Sequence, residues 1–237
     1  KRGIGYMSQL FSLYGDLTVA ENIAFFSGLY GVPETKRAER RDWALEMAGL
    51  TDAKDRLTRE LPLGFKQRLA LGCAVLHEPR ILFLDEPTSG VDPLSRRAFW
   101  DLIRHMTAQG TTVFVSTHYM EEAEYCHRLA LMNRGRLIAL DTPSGLRAGM
   151  HDPILEITGT DGVKAVEALR GAEGIIDAGF FGRAVHATAR DADLARQVIA
   201  RRLAGSGLPT GSVREIRPSL EDVFIARVRL EGGAPAD

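Results

Sequence analysis

The sequence predicts an α/β protein in two parts, a core built on a parallel sheet and then a smaller α+β unit. Three observations predict it. Residues 81–84, Ile-Leu-Phe-Leu between Pro79 and Pro87, read as a short strand buried on both faces, because the run has no polar side to alternate with. Residues 111–117, Thr-Thr-Val-Phe-Val-Ser-Thr, read as a second, β-branched strand, and a helical pattern lies between the two. Beyond residue 153 the pattern changes to an order of β-α-β-β-α-β.

Composition narrows the function classes. The 237 residues are 45% hydrophobic and 26% charged, ordinary for a folded protein with a sizeable core. A formal net charge of -1, with Arg and Lys scattered among acids, gives no electrostatic reason for a nucleic acid or an anionic membrane surface as partner. Cys73 and Cys126 lack metal-ligand spacing, so reduced thiols are expected. No apolar run approaches the roughly 18 residues that span a bilayer, so any membrane association is expected to come through a partner. Lys1 opens no signal peptide, and the lack of an initiating Met points to a chain that begins partway through a larger protein.

Residues 3–9, Gly-Ile-Gly-Tyr-Met-Ser-Gln, read as a strand ending at Gln9, which taken alone is an exposed loop amide. Thr18 followed by Glu21 makes a capping box, and its helix runs through Ile23, Phe25 and Phe26 towards Gly31 and Pro33. A second helix over residues 34–49 sets Trp43, Leu45 and Met47 among charges. Residues 61–68, Leu-Pro-Leu-Gly-Phe-Lys-Gln-Arg, lead into a helix over 66–76. Gly64 is expected there as a loop glycine that lets backbone approach a phosphate, beside the free N–H groups of the helix start.

Asp85 and Glu86 close the first β run. On an extended chain their side chains point to opposite sides, which suits one carboxylate to a cation and the other to a proton. A solvated turn is the plain alternative. Residues 87–93 make a turn, with Asp92 as N-cap and Pro93 at the first position of a helix over 94–108. His118 stands at the end of the strand over 111–117, and two strands ending in polar groups point at one crevice. The other five histidines are left as surface or core residues.

A short acidic helix at 120–126 and a strand pair at 128–132 and 136–140 follow. Then come a strand at 154–158, a helix at 163–169, strands at 174–181 and 184–189 about Gly182-Arg183, and a helix at 191–203. A strand at 212–216 and a helix capped by Ser219 complete an order that resembles a ferredoxin-like unit.

Taken in order, Gln9, residues 61–68, residues 81–86, residues 89–92 (Ser-Gly-Val-Asp) and His118 resemble the ATPase subunit of ABC transporters. The resemblance implies a P-loop NTPase-like core with a helical subdomain over 1–146, a linker at 147–153, an accessory α+β domain at 154–230 and a flexible tail at 231–237. It implies ATP and Mg2+ as cofactors, with Glu86 and His118 catalytic, Asp85 and Gln9 at the metal, and Gln9, Gly64, Asp85, Ser89 and Asp92 at the nucleotide. It also implies a transmembrane permease and a second ATPase subunit, arranged head to tail, as partners on the inner face of the cell membrane, with no nucleic acid. The accessory domain and the stretch Pro218-Ser-Leu-Glu-Asp-Val-Phe resemble drug-resistance-type exporter ATPases.

Two departures stand out. Pro62 and Leu63 replace the Ser and first Gly of the usual Leu-Ser-Gly-Gly-Gln signature, and the 237 residues contain no Gly-x-x-x-x-Gly-Lys-Ser/Thr loop. The expectation is therefore an N-terminally truncated chain, inactive alone. The alternative is a non-catalytic or regulatory half that gives only trans contacts to an intact partner ATPase.

Overall fold

A computed structural model describes residues 3–9 and 13–231; the end of the expected tail, 232–237, lies outside the described residues. The chain divides into two compact units, Lys1–Tyr119 and Met120–Asp237.

In the first unit, β1 (Ile4–Met7), β2 (Ile81–Asp85) and β3 (Thr112–Ser116) form a parallel sheet in that order. Its register pairs Met7 with Leu84 and Asp85 with Ser116, so the carboxyl ends of all three strands lie at one edge. Gly5 is needed for close approach: a Cβ there would lie 2.5 Å from the Ala74 carbonyl oxygen.

Three helices, α1 (Val19–Leu29), α2 (Glu34–Ala48) and α3 (Leu63–Ala74), share a core that includes Ile23, Phe26, Leu45, Leu69 and Leu76. Thr18 and Glu21 close the expected capping box, with N–H to oxygen distances of 3.2 and 2.8 Å. Gly49 ends α2 in the left-handed conformation that a glycine takes most readily. Buried Asn22 bonds the Tyr14 backbone through both of its amide atoms and reaches the Thr58 hydroxyl at 2.9 Å, which fixes the loop before α1. Helix α4 (Pro93–Ala108) starts at its N-cap Asp92.

The structure corrects three expectations here. Strand β2 is not buried on both faces: Leu82 and Leu84 are buried, but Phe83 is 39% exposed. Register places Tyr6, Phe83 and Phe114 side by side on that open face, and Phe83 stacks on Phe114 at 5.1 Å. An apolar residue on a strand is covered only if another element packs over it, which a run of sequence does not reveal. Second, α3 begins at Leu63, not at Lys66, so Gly64 lies in a helical turn and not in a loop. Third, Glu86 has φ +43, outside the extended geometry that would place it opposite Asp85.

The second unit holds α5 (Met120–Ala123), a hairpin of β4 (Leu129–Asn133) and β5 (Arg136–Asp141), α6 (Pro143–Ala148), and a four-stranded antiparallel sheet. That sheet, formed by β6 (Ile154–Thr158), β7 (Ile175–Phe181), β8 (Ala184–Ala189) and β9 (Ser212–Ile216), runs in the order β7-β8-β6-β9, the ferredoxin-like arrangement. Helices α7 (Gly162–Leu169) and α8 (Ala192–Gly205) cover one side through Ala165, Leu169, Ile199 and Leu203.

The last helix, α9 (Leu220–Leu230), joins the hairpin to the sheet within this unit. Its Leu220 and Val223 share a core with Leu129, Leu131 and Leu146, and its Asp222 reaches His186 on β8. The hairpin therefore packs in the second unit, and α6 occupies the start of the expected linker.

Both cysteines are free, and burial pushes the Cys73 thiol well above its ordinary range. Among the described residues, no helix is long and apolar enough to cross a membrane.

Candidate active site at the strand ends

Parallel strands that end together bring distant residues into one place. Gln9 follows β1, Asp85 and Glu86 close β2, and Ser116 and His118 close β3. Gln9 Nε2 donates to Glu86 Oε2 at 2.9 Å, and His118 Nδ1 lies 3.2 Å from the same oxygen. An ionised carboxylate only accepts hydrogen bonds, so a neutral His118 meets it with the proton on Nδ1 and leaves Nε2 as an acceptor.

Glu86 is held from behind as well. Its N–H is shared between the Ser116 carbonyl at 3.1 Å and the Ser116 hydroxyl at 3.0 Å. Its left-handed backbone is uncommon for a residue with a side chain, and such strain is kept where neighbours over-determine it. Asp85 has a different partner: Ser116 Oγ donates to its Oδ1 at 2.6 Å. The two carboxylates thus have separate surroundings, though not by simple strand alternation.

His118 is placed by its own neighbours. Its ring lies 4.2 Å from that of Tyr119, and the Arg96 guanidinium stands 4.4 Å from the centre of the Tyr119 ring. The Tyr119 N–H donates to Thr117 Oγ1 at 3.0 Å, which tightens the turn after β3.

Gly64, Ser89 and Asp92 fall elsewhere in the unit. Asp92 accepts from the Leu94 and Ser95 amides at 3.0 and 2.9 Å, and the Ser95 backbone, then its side chain, hold the carboxyl below its ordinary range. A Cβ on Gly64 would stand 2.6 Å from Ser95 Oγ and 2.7 Å from Ser95 Cβ, so α3 and α4 meet here. Burial lowers the Arg68 guanidinium from its ordinary value, and Asp92 acts against that shift. Ser89 is tied to Glu86 through backbone, N–H to carbonyl at 3.1 Å.

Ser116 was not among the residues singled out from sequence. Its signal is register: a hydroxyl residue two places before His118 sits level with Asp85 once the strands are paired.

The donor set fits Mg2+. Among the described residues, no group of three or more His, Cys, Asp or Glu is placed to hold a metal. Mg2+ needs none, since it keeps waters and takes one or two carboxylates with substrate phosphates. Asp85, with Oδ1 bonded to Ser116 and Oδ2 unpaired among the described residues, supplies a hard oxygen of that kind. Gln9 and His118 meet on one oxygen of Glu86, and none of the described residues forms a glycine-rich phosphate cradle.

A parallel sheet with acid, amide and imidazole side chains gathered at its carboxyl edge defines an α/β protein with a ligand site of the kind such sheets place there. The family described as ABC transporter matches residues 1–89. The daunorubicin resistance ATP-binding protein DrrA2 of Streptomyces coeruleorubidus is 34% identical over 234 residues, covering 97% of this chain and 72% of that protein. The probable multidrug ABC transporter ATP-binding protein YbhF of Escherichia coli K12 is 56% identical over 148 residues, which is 62% of this chain and 26% of that protein. The chain therefore matches about a quarter of the length of that relative. Among solved structures, an ATP-binding subunit of an ABC transporter aligns with TM-score 0.56 and 29% identity, over 62% of each chain. CbiO1 from Clostridium perfringens, part of the ABC transporter complex cbiONQ, aligns with the same TM-score at 30% identity, over 62% of this chain and 60% of its own.

The chain belongs to the ATP-binding proteins of the ABC transporter family, and its α/β fold is that of their ATPase subunits.

Proposed function

We propose that this chain is the ATP-hydrolysing subunit of an ABC-type exporter, dimerising head to tail and driving a membrane-spanning permease. The single observation that carries this reading is the convergence of Gln9 and His118 on one oxygen of Glu86. Glu86 accepts a proton from the attacking water, and Gln9 and His118 keep that carboxylate in place, with His118 Nε2, the acceptor of the neutral ring, left to meet that water. Asp85 and Gln9 hold Mg2+, which when bound neutralises phosphate charge. Gly64, Ser89 and Asp92 act across the dimer on the partner's nucleotide. The second unit is an accessory domain with a regulatory or dimer-stabilising role. The exporter class is supported by the drug-resistance and multidrug names of the relatives.

Pro62 favours a second reading, because it starts α3 without a side-chain cap bond and carries no hydroxyl for a phosphate. In that reading the chain only completes the site of an intact partner. Phosphate release from ATP by the native protein tests the first reading. Sustained release that depends on Glu86 supports it. No release alone, with stimulation of an added intact ATPase, overturns it in favour of the second.

A further inference from the structure

Ser116 is the last residue of β3 and stands level with Asp85 in the parallel register. Its hydroxyl is used twice. The Glu86 N–H donates to Oγ at 3.0 Å, and Oγ donates to Asp85 Oδ1 at 2.6 Å. A hydroxyl has one hydrogen and two lone pairs. Because a lone pair takes the Glu86 amide hydrogen, the hydroxyl's own hydrogen is free to go to Asp85. One side chain thus fixes the carboxylate of Asp85 and the backbone of its neighbour.

The second role matters because of the shape of Glu86. With φ +43 its backbone lies where residues with a side chain are uncommon. That turn carries the carboxylate to Gln9 Nε2 and His118 Nδ1, at 2.9 and 3.2 Å. The Ser116 carbonyl also takes the Glu86 N–H, at 3.1 Å, so the peptide is pinned by main chain and side chain of the same residue.

We propose that Ser116 is a positioning residue for both carboxylates, holding Asp85 by Oδ1 so that Oδ2 is left for a divalent cation, and holding Glu86 in its left-handed turn. The inference rests on the ATPase reading above. It assigns Ser116 no contact with substrate. Groups that orient metal-holding carboxylates typically change metal affinity or activity about 10- to 100-fold when removed.

The test uses the native protein, Ser116→Ala and Ser116→Thr, with Mn2+ as a paramagnetic probe titrated in the presence of a non-hydrolysable ATP analogue. Alanine removes the hydroxyl and leaves the carbonyl; threonine restores the hydroxyl at an exposed strand position. The expected result is Mn2+ affinity weakened about 10-fold by alanine and returned to near wild type by threonine. The kcat for ATP follows the same order, while KM for ATP stays put. Wild-type Mn2+ affinity and kcat in the alanine variant overturn this inference alone. A threonine variant as weak as alanine also overturns it. A wild type that takes up no Mn2+ with the analogue overturns the ATPase reading and this inference together.

Discussion

Gln9 Nε2 donates to Glu86 Oε2 at 2.9 Å, a bond between residues 77 positions apart in sequence. It exists because β1 and β2 are parallel neighbours, with Met7 level with Leu84, so both chains leave the sheet at the same edge. His118, arriving from β3, reaches the same oxygen. A carboxylate held by an amide and an imidazole has few ways to turn, and a general base must be held still to be efficient.

Glu86→Gln keeps the shape of the side chain and removes its capacity to accept a proton. ATP binding is expected to persist while turnover falls by about 10²- to 10⁴-fold, the usual contribution of a positioned base. Equilibrium binding of labelled ATP and single-turnover phosphate release separate the two effects. A variant that hydrolyses ATP within a few-fold of wild type removes Glu86 from that role.

Gln9 and His118 act on one atom, so their effects are expected to couple. Gln9→Ala and His118→Ala each lower kcat, and the double variant loses less than the two singles summed, with a coupling energy of about 0.5–3 kcal/mol. A double-mutant cycle on kcat measures it. Strict additivity shows that the two side chains serve separate steps.

Gly64 gives a prediction about packing. An added methyl would stand 2.6 Å from Ser95 Oγ and 2.7 Å from Ser95 Cβ, and Ser95 sits in the first turn of α4. Gly64→Ala is expected to destabilise the first unit by about 1–3 kcal/mol, as overpacking does. Ser95→Gly in the same chain returns part of that loss, because it clears both clashing atoms. Urea unfolding followed by the fluorescence of Trp43 and Trp100 reads the change. If Ser95→Gly gives no relief, the strain lies elsewhere.

Much of this was legible in the sequence, where the signal was local. Thr18 with Glu21 and Asp92 before Pro93 announce helix starts through bonds made within four residues, and both caps form. Alternating strands around Gly182 and Arg183 announce the antiparallel pair of β7 and β8. What was hidden depends on neighbours far along the chain. The exposure of Phe83 follows from what does not cover that face of the sheet. Ser116 becomes important only when register sets it beside Asp85. His186, unremarkable in sequence, lies 3.0 Å from Asp222, 36 positions away.

That last contact carries a dependence on acidity. Burial alone pushes the Asp222 carboxyl up, but hydrogen bonds from the His186 side chain and from the side chain and backbone of Ser219 outweigh it, so the carboxyl titrates below its ordinary range. A carboxylate with a lower pKa in the folded chain contributes its stability in full above the unfolded value, about 3.9, and loses it as pH falls through the folded value. Around the pair stand Glu156, whose Oε2 is 3.9 Å from His186 Nε2, and Arg214, which bonds Glu156 at 2.7 Å; Arg229 of α9 pairs with Asp177 of β7. Asp222→Asn is expected to lower protection of β8 and α9 by about 1–3 kcal/mol at neutral pH, because it weakens a buried charge-assisted bond. The gap between wild type and variant then closes as acid protonates Asp222. Hydrogen exchange of those two segments at a series of pH values measures it, and a gap that stays constant down to the most acid pH shows that Asp222 contributes no such stability.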